Sequence, residues 1–464
     1  MSEVRPDADN VLDVGIQDRL SLPRTGLFGL QHLLALTGIW IFPVLIGSTL
    51  ELGAQDVSRI VQACFLLTGI VTILQSSRIV RLPIVQGPTA AFFVAILAGA
   101  ASYDLGTAFG SMVVAGLFFM ALSIPFGRLG LFGHIRRFAA DPIVFGTLFI
   151  IIGAQLASIG LPGWFGTPGT DTYGWSSFWI GLVVVVAILA CMIFGGNTLF
   201  KRAAIVIGIA IGSVLALVTG LWFPPDLSQA AVIGASTLFP FGFSVAWPVV
   251  ILMLLAYFQA GAEAIGMYTL VAGWGGEKLT VNRINRGLFT EFLGSTVGAA
   301  FGGIGTTSYP ENVGIIRITR IGSRFGTMAA GIFALALAFL PQISLFIAGL
   351  SGTVLAAAST ILFGIIAISG VQMLQKVQWD DLNVAVAATS FIVSLGAQWI
   401  PDDIIAGLPP QIAGLIDTPM MLGIILLLTL HILIDICARP LLERRGAKAA
   451  ATVQAHEPAG SGES

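Results

Sequence analysis

Long apolar runs separated by short polar turns fill the chain, and their lengths predict membrane-spanning helices rather than a soluble core. Runs near spanning length occupy residues 27–48, 57–75, 89–102, 105–126, 142–159, 176–194 and 203–222. A second set occupies 248–274, 284–303, 309–321, 326–345, 353–374, 382–399 and 419–436. Most of these fourteen segments approach the ~20 residues that cross a bilayer as a helix. Two do so only with an interruption: the third begins RLPIVQGPTAAFF (81–93) and the tenth begins GTTSYPENVG (305–314). Each predicts an extended stretch followed by a half-length helix, starting near Thr89 and Glu311. Backbone that leaves helical pairing at membrane depth is tolerated only inside protein or along a cavity. An acid placed on such backbone points to function.

Composition agrees with this reading. Of 464 residues 56% are hydrophobic and only 10% are charged, with a mean hydropathy of +0.94. Soluble domains carry about 25% charged residues, so the pattern is that of an all-α polytopic membrane protein whose surroundings are the lipid bilayer. A net charge of −2 with no basic run along the sequence argues against nucleic acid as a partner.

Lys and Arg alternate from turn to turn. Of 22 basic residues only Arg59 falls on the sparse side, while Arg5, Arg19, Arg24, Arg78, Arg81, Arg128, Arg136, Arg137 and the rest fall on the other. That bias predicts a plasma (inner) membrane protein with both termini cytoplasmic. Segment 1–25 lacks an apolar h-region, so no cleavable signal is expected. The Ala/Gly/Glu/Ser-rich tail, 438–464, is expected to be disordered. A division at loop 223–247 makes two seven-span halves, and because seven is odd they enter the membrane with opposite orientation. Inverted repeats of this kind place a substrate site at their interface, where half-helix N-termini aim free N–H groups and positive dipole ends.

Few ionisable side chains fall at membrane depth. In the eighth segment Gln259, Glu263 and Met267 share one helical face, with Gly and Ala packed around Glu263. A lone acid in lipid is costly, so Glu263 is expected to face the interior or a cavity, where it can carry a proton. A structural hydrogen bond to a neighbouring helix is the alternative. Glu311 has the same two readings, with ligand contact favoured by its place on broken backbone. Two ionised carboxylates only accept hydrogen bonds and so suit a flat ligand bearing several N–H donors. Glu291 is expected to pair with Arg286 as structural support. His32, next to Gln31, is read either as fixing a site carboxylate or as a satisfied core histidine. Arg317 and Arg320 are expected to snorkel to the surface. Cys64, Cys191 and Cys437 show no metal spacing, and neither HExxH nor Gly-x-Ser-x-Gly occurs, so no metal, cofactor or catalytic residue is expected.

Glu311-Asn312-Val313-Gly314, followed by Thr319-Arg320, resembles the signature of the nucleobase–ascorbate transporter family (nucleobase:cation symporter-2): Gln/Glu/Pro, Asn, any residue, Gly, four of any kind, Thr, then Arg, Lys or Gly. Gln31-His32, Gln86-Gly87, Glu263 with Ile265-Gly266, and Arg286-Gly287 extend the resemblance over residues 27–436. It implies a fourteen-span fold with a core domain (26–137 and 248–348) and a gate domain (138–247 and 349–437), dimerising through the gate. It also implies import of a uracil- or xanthine-like base with protons, by alternating access.

Position by position, the resemblance has Glu263 and Glu311 hydrogen-bonding the base, with Tyr309, Pro310, Ala90 and Gln259 completing the contact. Glu263 and His32 would serve proton coupling. Gln31, Gln86, Gly87, Asn312, Gly314, Thr319, Arg320 and Glu291 would support the motif. Two positions depart from the family pattern. Ala90 stands where a Phe usually stacks on the base, so Tyr257, Phe258 or Phe92 supplies the ring, or the substrate is larger than uracil. Met267 stands where relatives carry His or Asp beside the coupling step, which makes a sodium-coupled or non-nucleobase (ascorbate- or urate-like) transporter the alternative. An anion transporter of the same plan is a third reading, but it needs a positive centre where this chain puts two acids.

Overall fold

Helices fill nearly every apolar run, and they break where Gly, Pro or clustered polar residues remove the reason to continue. The structure is a computed structural model describing residues 12–125, 130–131, 142–196, 199–375, 377–408, 416 and 419–442. Arg5, Arg128, Arg136, Arg137, Lys376, Arg444, Arg445, Lys448 and the tail beyond 442 lie outside the described residues.

The chain opens with α1 (Leu22–Leu34), α2 (Thr37–Thr49) and α3 (Ala54–Ser76), then strand β1 (Gln86–Pro88), α4 (Ala90–Ser102) and α5 (Leu105–Leu122). Next come α6 (Pro142–Gly160), α7 (Trp175–Phe194) and α8 (Ala204–Val218). The second half runs α9 (Trp247–Trp274), α10 (Val281–Ala300), strand β2 (Thr306–Ser308), α11 (Pro310–Thr319), α12 (Arg324–Leu337) and α13 (Pro341–Ala348). It ends with α14 (Gly352–Leu374), α15 (Asp381–Gly396) and α16 (Pro419–Leu433).

Among the described residues six helices are long and apolar enough to cross a membrane: α3, α5, α7, α9, α14 and α15 with its final turn. A seventh candidate is the pair α12 and α13, bent by 88°. Several predicted spans therefore differ from single helices. The first is two helices, because Leu36 leaves helical geometry between them. The eleventh bends ahead of Pro341, whose missing N–H and fixed φ suit the start of a new helix. The third and tenth are short, as their interruptions predict: 13 residues in α4 and 10 in α11. At 1.5 Å per residue these reach roughly 20 and 15 Å, against a hydrocarbon core of about 30 Å.

The described residues group into two units. One draws on Met1–Ala140 and Leu156–Gly364, the other on Asp141–Gln155 and Ile365–Ser464. In the first, α12 packs on α1 and α3, and α5 packs on α9 and α10. In the second, α15 packs on α16. Arg439, just past α16, bonds to Asp380 and Asn383 at the start of α15.

Buried in the first unit is the one sheet among the described residues, β1 paired antiparallel to β2 with Gln86↔Ser308, Gly87↔Thr307 and Pro88↔Thr306 opposite each other. The pairing continues past both strands, with Thr89 N–H donating to the Gly305 carbonyl at 3.1 Å and Tyr309 N–H to that of Val85 at 2.9 Å. Non-helical backbone deep in the protein is thus satisfied by a second broken stretch distant in sequence.

Candidate functional site

Because α4 leaves β1 and α11 leaves β2 directly, their N-termini sit at opposite ends of one three-residue ladder. That ladder is only about 10 Å long. The Thr89 hydroxyl caps α4 by accepting from Ala91 N–H at 3.4 Å. On α11 Pro310 occupies the first turn, where an N–H would be unpaired in any case, and Glu311 follows it beside the positive helix end.

Three neighbours hold β2. Ser295 of α10 both donates to the Thr306 carbonyl and accepts its N–H, at 3.3 and 3.0 Å. Thr307 donates to the Ala260 carbonyl of α9 at 3.1 Å, placing the strand against the turn before Glu263. The carboxylate of Glu291 accepts from Ser308 N–H at 2.9 Å and from the Tyr268 hydroxyl at 2.6 Å. Gln75 of α3 in turn donates to Tyr268 at 2.7 Å and to the Gly287 carbonyl at 3.0 Å.

The expected pair of Glu291 with Arg286 is therefore corrected. Glu291 is fully buried and its oxygens serve β2 and Tyr268, while Arg286 is exposed. Tyr268 and Gln75 were not singled out by sequence. Their signal is a phenol and an amide in apolar helices, each needing a partner once buried.

Glu263 and Glu311 come together. Both are half-buried, and the charge of Glu311 reaches that of Glu263, with Glu291 contributing less. Gly266 and Gly314, about one turn beyond each acid, face open space: a Cβ on either would meet nothing within 4 Å. Gln259, one turn before Glu263, is buried, and its Oε1 has no hydrogen-bond partner among the described residues. Ala90 is buried at the first position of α4.

The remaining candidates form the frame. Asn312 donates to His32 at both the ring Nδ1, 2.8 Å, and the backbone carbonyl, 2.9 Å, tying α11 to α1. Gln31 is buried beside it. The Tyr309 side chain does not face the acids, since its hydroxyl accepts from Gly38 N–H at 2.7 Å and only its backbone stays near Glu311. Gln86 donates to the Ser308 hydroxyl at 3.2 Å, and its own N–H is accepted by Thr72 at 2.9 Å.

Thr319 and Arg320 stand at the far end of α11. Thr319 bonds back to the Ile315 carbonyl, and Arg320, with a left-handed φ of 59°, pairs with Asp13 at 3.3 Å. They end the helix and do not reach the acids. Arg317 lies over the Trp274 ring at 5.1 Å.

Two of the rings proposed to replace the missing Phe belong to the core. Phe92 and Tyr257 are fully buried and meet edge to face at 4.7 Å, with the Tyr257 hydroxyl bonded to Thr296. Phe258 is partly exposed. Two surface cavities, of about 190 and 270 Å³, are lined by neither Glu263 nor Glu311.

A profile described as "Permease family" matches residues 24–402. The Putative purine permease CPE0397 of Clostridium perfringens is 26% identical over 90% of this chain and 92% of its own length. The Xanthine permease of Bacillus subtilis is 26% identical over 90% and 95%, and the Uric acid transporter UacT of Escherichia coli 26% over 89% and 87%. Among solved structures, the transmembrane domain of a cyanobacterium bicarbonate transporter, BicA, superposes with a TM-score of 0.56 at 14% identity, over 89% of this chain and 98% of that one. The murine anion transporter Slc26a9 in its inward-facing state superposes at 0.61 with 12% identity, over 90% and 69%. At such identities these two define the fold alone, that of a multi-span membrane protein.

Proposed function

Since the chain belongs to the xanthine/uracil permease family, we propose that it imports a nucleobase, purine-like before uracil-like, driven by protons. The observation that carries this is the meeting of Glu263 and Glu311 at the β1–β2 crossing, beside the unpaired Gln259 Oε1. Carboxylate oxygens and an amide oxygen only accept hydrogen bonds, and a xanthine-like base offers N–H donors along its edges. Backbone N–H groups at the start of α11 suit the base's own carbonyls.

A purine is favoured by Ala90, a smaller side chain than the family's Phe, and by the substrates for which the relatives are named: purine, xanthine and uric acid. Phe258 is the ring left to stack on it. In this reading Glu263 takes up a proton with the substrate, as an acid at membrane depth suits a proton relay. His32 supports the step through Asn312.

The wider proposal keeps fourteen spans in two inverted halves, cytoplasmic termini, and core (26–137, 248–348) and gate (138–247, 349–437) domains that move by alternating access in a homodimer formed through the gate. Met267 favours one competing reading, sodium coupling, since it offers no titratable partner to Glu263.

Uptake of labelled xanthine, urate and uracil into proteoliposomes tests the proposal under an imposed proton or sodium gradient. Proton-driven uptake that Glu263→Gln and Glu311→Gln each abolish is expected. Uptake driven by sodium and indifferent to pH selects the competing reading, and undiminished uptake by both variants overturns the site.

A further inference from the structure

At the basic end of the first unit, arginines from four separate stretches converge on one spot, which no run in the sequence reveals. The segment before α1 lies across this end as a strap. Val14 pairs parallel to Ile321, Gly322 N–H donates to the Val14 carbonyl at 2.8 Å, and Arg324 N–H to that of Ile16 at 3.1 Å. Gln17 on the strap is a hub. Its Nε2 donates to Glu277 at 2.7 Å, and its Oε1 accepts from Arg324 at 2.9 Å and Arg81 at 3.2 Å.

Arg283 pairs with the same Glu277 at 2.5 Å and donates to the carbonyls of Val80 and Arg81. Arg19 and Arg324 both lie over the Phe325 ring, at 5.1 and 4.3 Å. The charges of Arg81, Arg78 and Arg19 all reach Arg324, and that of Glu277 opposes them. Asp18 is exposed and caps Gly15 N–H. Arg78 has no hydrogen-bond or ion-pair partner among the described residues, and Arg81 holds a left-handed φ of 63°.

Five guanidinium groups therefore gather where Glu277 is already engaged by Arg283 and Gln17 and Asp18 is turned to Gly15 N–H. Like charges gathered this closely repel, and an anion among them removes the repulsion. Guanidinium forks match phosphate oxygens in both geometry and charge. Apolar side chains around the cluster indicate the source of that phosphate. Ile79, between Arg78 and Arg81, is 42% exposed, and Leu22 and Leu27 at the start of α1 are 87% and 63% exposed. Exposed aliphatic chains beside the Arg78 guanidinium fit the boundary between acyl chains and headgroups.

We propose that this cluster, with Arg78 and Arg81 at its rim, binds the phosphate of an anionic phospholipid headgroup. The lipid joins the N-terminal strap to the loops that follow α3 and α9 and to the start of α12.

The test uses the full chain, reconstituted in phosphatidylcholine with or without phosphatidylglycerol, and reads the thermal midpoint together with the phosphatidylglycerol retained on purification. Phosphatidylglycerol is expected to raise the midpoint. Arg78→Gln/Arg81→Gln is expected to retain about tenfold less of the lipid and to lose most of that rise. Arg59→Gln, at the sparse end, should keep both, and inorganic phosphate or glycerophosphoglycerol alone should give no comparable rise. If the double variant does not purify, Arg19→Gln/Arg78→Gln removes two charges whose side chains make no hydrogen bond among the described residues. Retention of the full effect by the variant, or full reproduction of it by inorganic phosphate, overturns the proposal.

Discussion

Asn312 reaches back 280 residues to hold His32, donating from one amide nitrogen to both the ring Nδ1 and the backbone carbonyl. The bond fixes the imidazole with Nδ1 as acceptor, so the neutral ring carries its proton on Nε2. Replacing Asn312 with Ala strands both acceptors in the interior. A loss of about 1–3 kcal/mol is expected, seen as a lower thermal midpoint together with weaker base binding. Unchanged stability would show that α1 and α11 are held by packing alone.

Gly87 allows the two broken stretches to meet. A Cβ there would come within 2.5 Å of the Tyr309 ring, and one on Gly38 would meet both the Tyr309 hydroxyl and the Pro88 carbonyl at 2.8 Å. Gly87→Ala must push Tyr309 off its bond to Gly38 or shift β1, at a cost of about 1–3 kcal/mol. Tyr309→Phe removes only the hydroxyl and should cost about 1 kcal/mol. Denaturation midpoints of the two variants, measured side by side, check the order.

Glu291 and Arg286 give a sharp contrast. Glu291→Gln sets an amide donor against Ser308 N–H or the Tyr268 hydroxyl and is expected to cost about 2–3 kcal/mol. Arg286→Gln touches an exposed side chain and should stay within about 0.5 kcal/mol of wild type. Equal losses in the two would restore the pairing expected from their closeness in sequence.

Asp380 carries a pH prediction for the second unit. Its hydrogen bond from Arg439 at 2.6 Å, helped by Asn383 N–H at 2.7 Å, holds the carboxyl below the ordinary aspartate range. A lowered folded-state value adds stability that is complete above the unfolded value of about 3.9 and fades as pH falls through the folded one. Wild type should therefore melt above Asp380→Asn near neutral pH, and the gap should close under acid. A gap that persists well below that range would contradict the pairing.

Much of the candidate site's backbone was legible because its signals are local. Gly87, Pro88 and Pro310 interrupt apolar runs, and the structure breaks the helices there. Glu263 and Glu311 stand out as acids in oil. What was hidden depends on contacts distant in sequence. Glu291 has an arginine five residues away, but its partners lie 23 and 17 residues off on other elements. Phe92 and Tyr257 sit in runs apolar all round, so hydropathy cannot say which face meets a cavity and which the core. The break at Leu36 carries no Gly or Pro of its own, and a window average passes over it.

The central claim is that Glu263 and Glu311 together bind one base, and calorimetric titration of the purified protein with xanthine measures it most directly. Wild type should bind, Glu263→Gln and Glu311→Gln should each weaken binding at least about tenfold with folding intact, a loss equivalent to one charge-assisted hydrogen bond. Wild-type affinity in both variants would contradict the account.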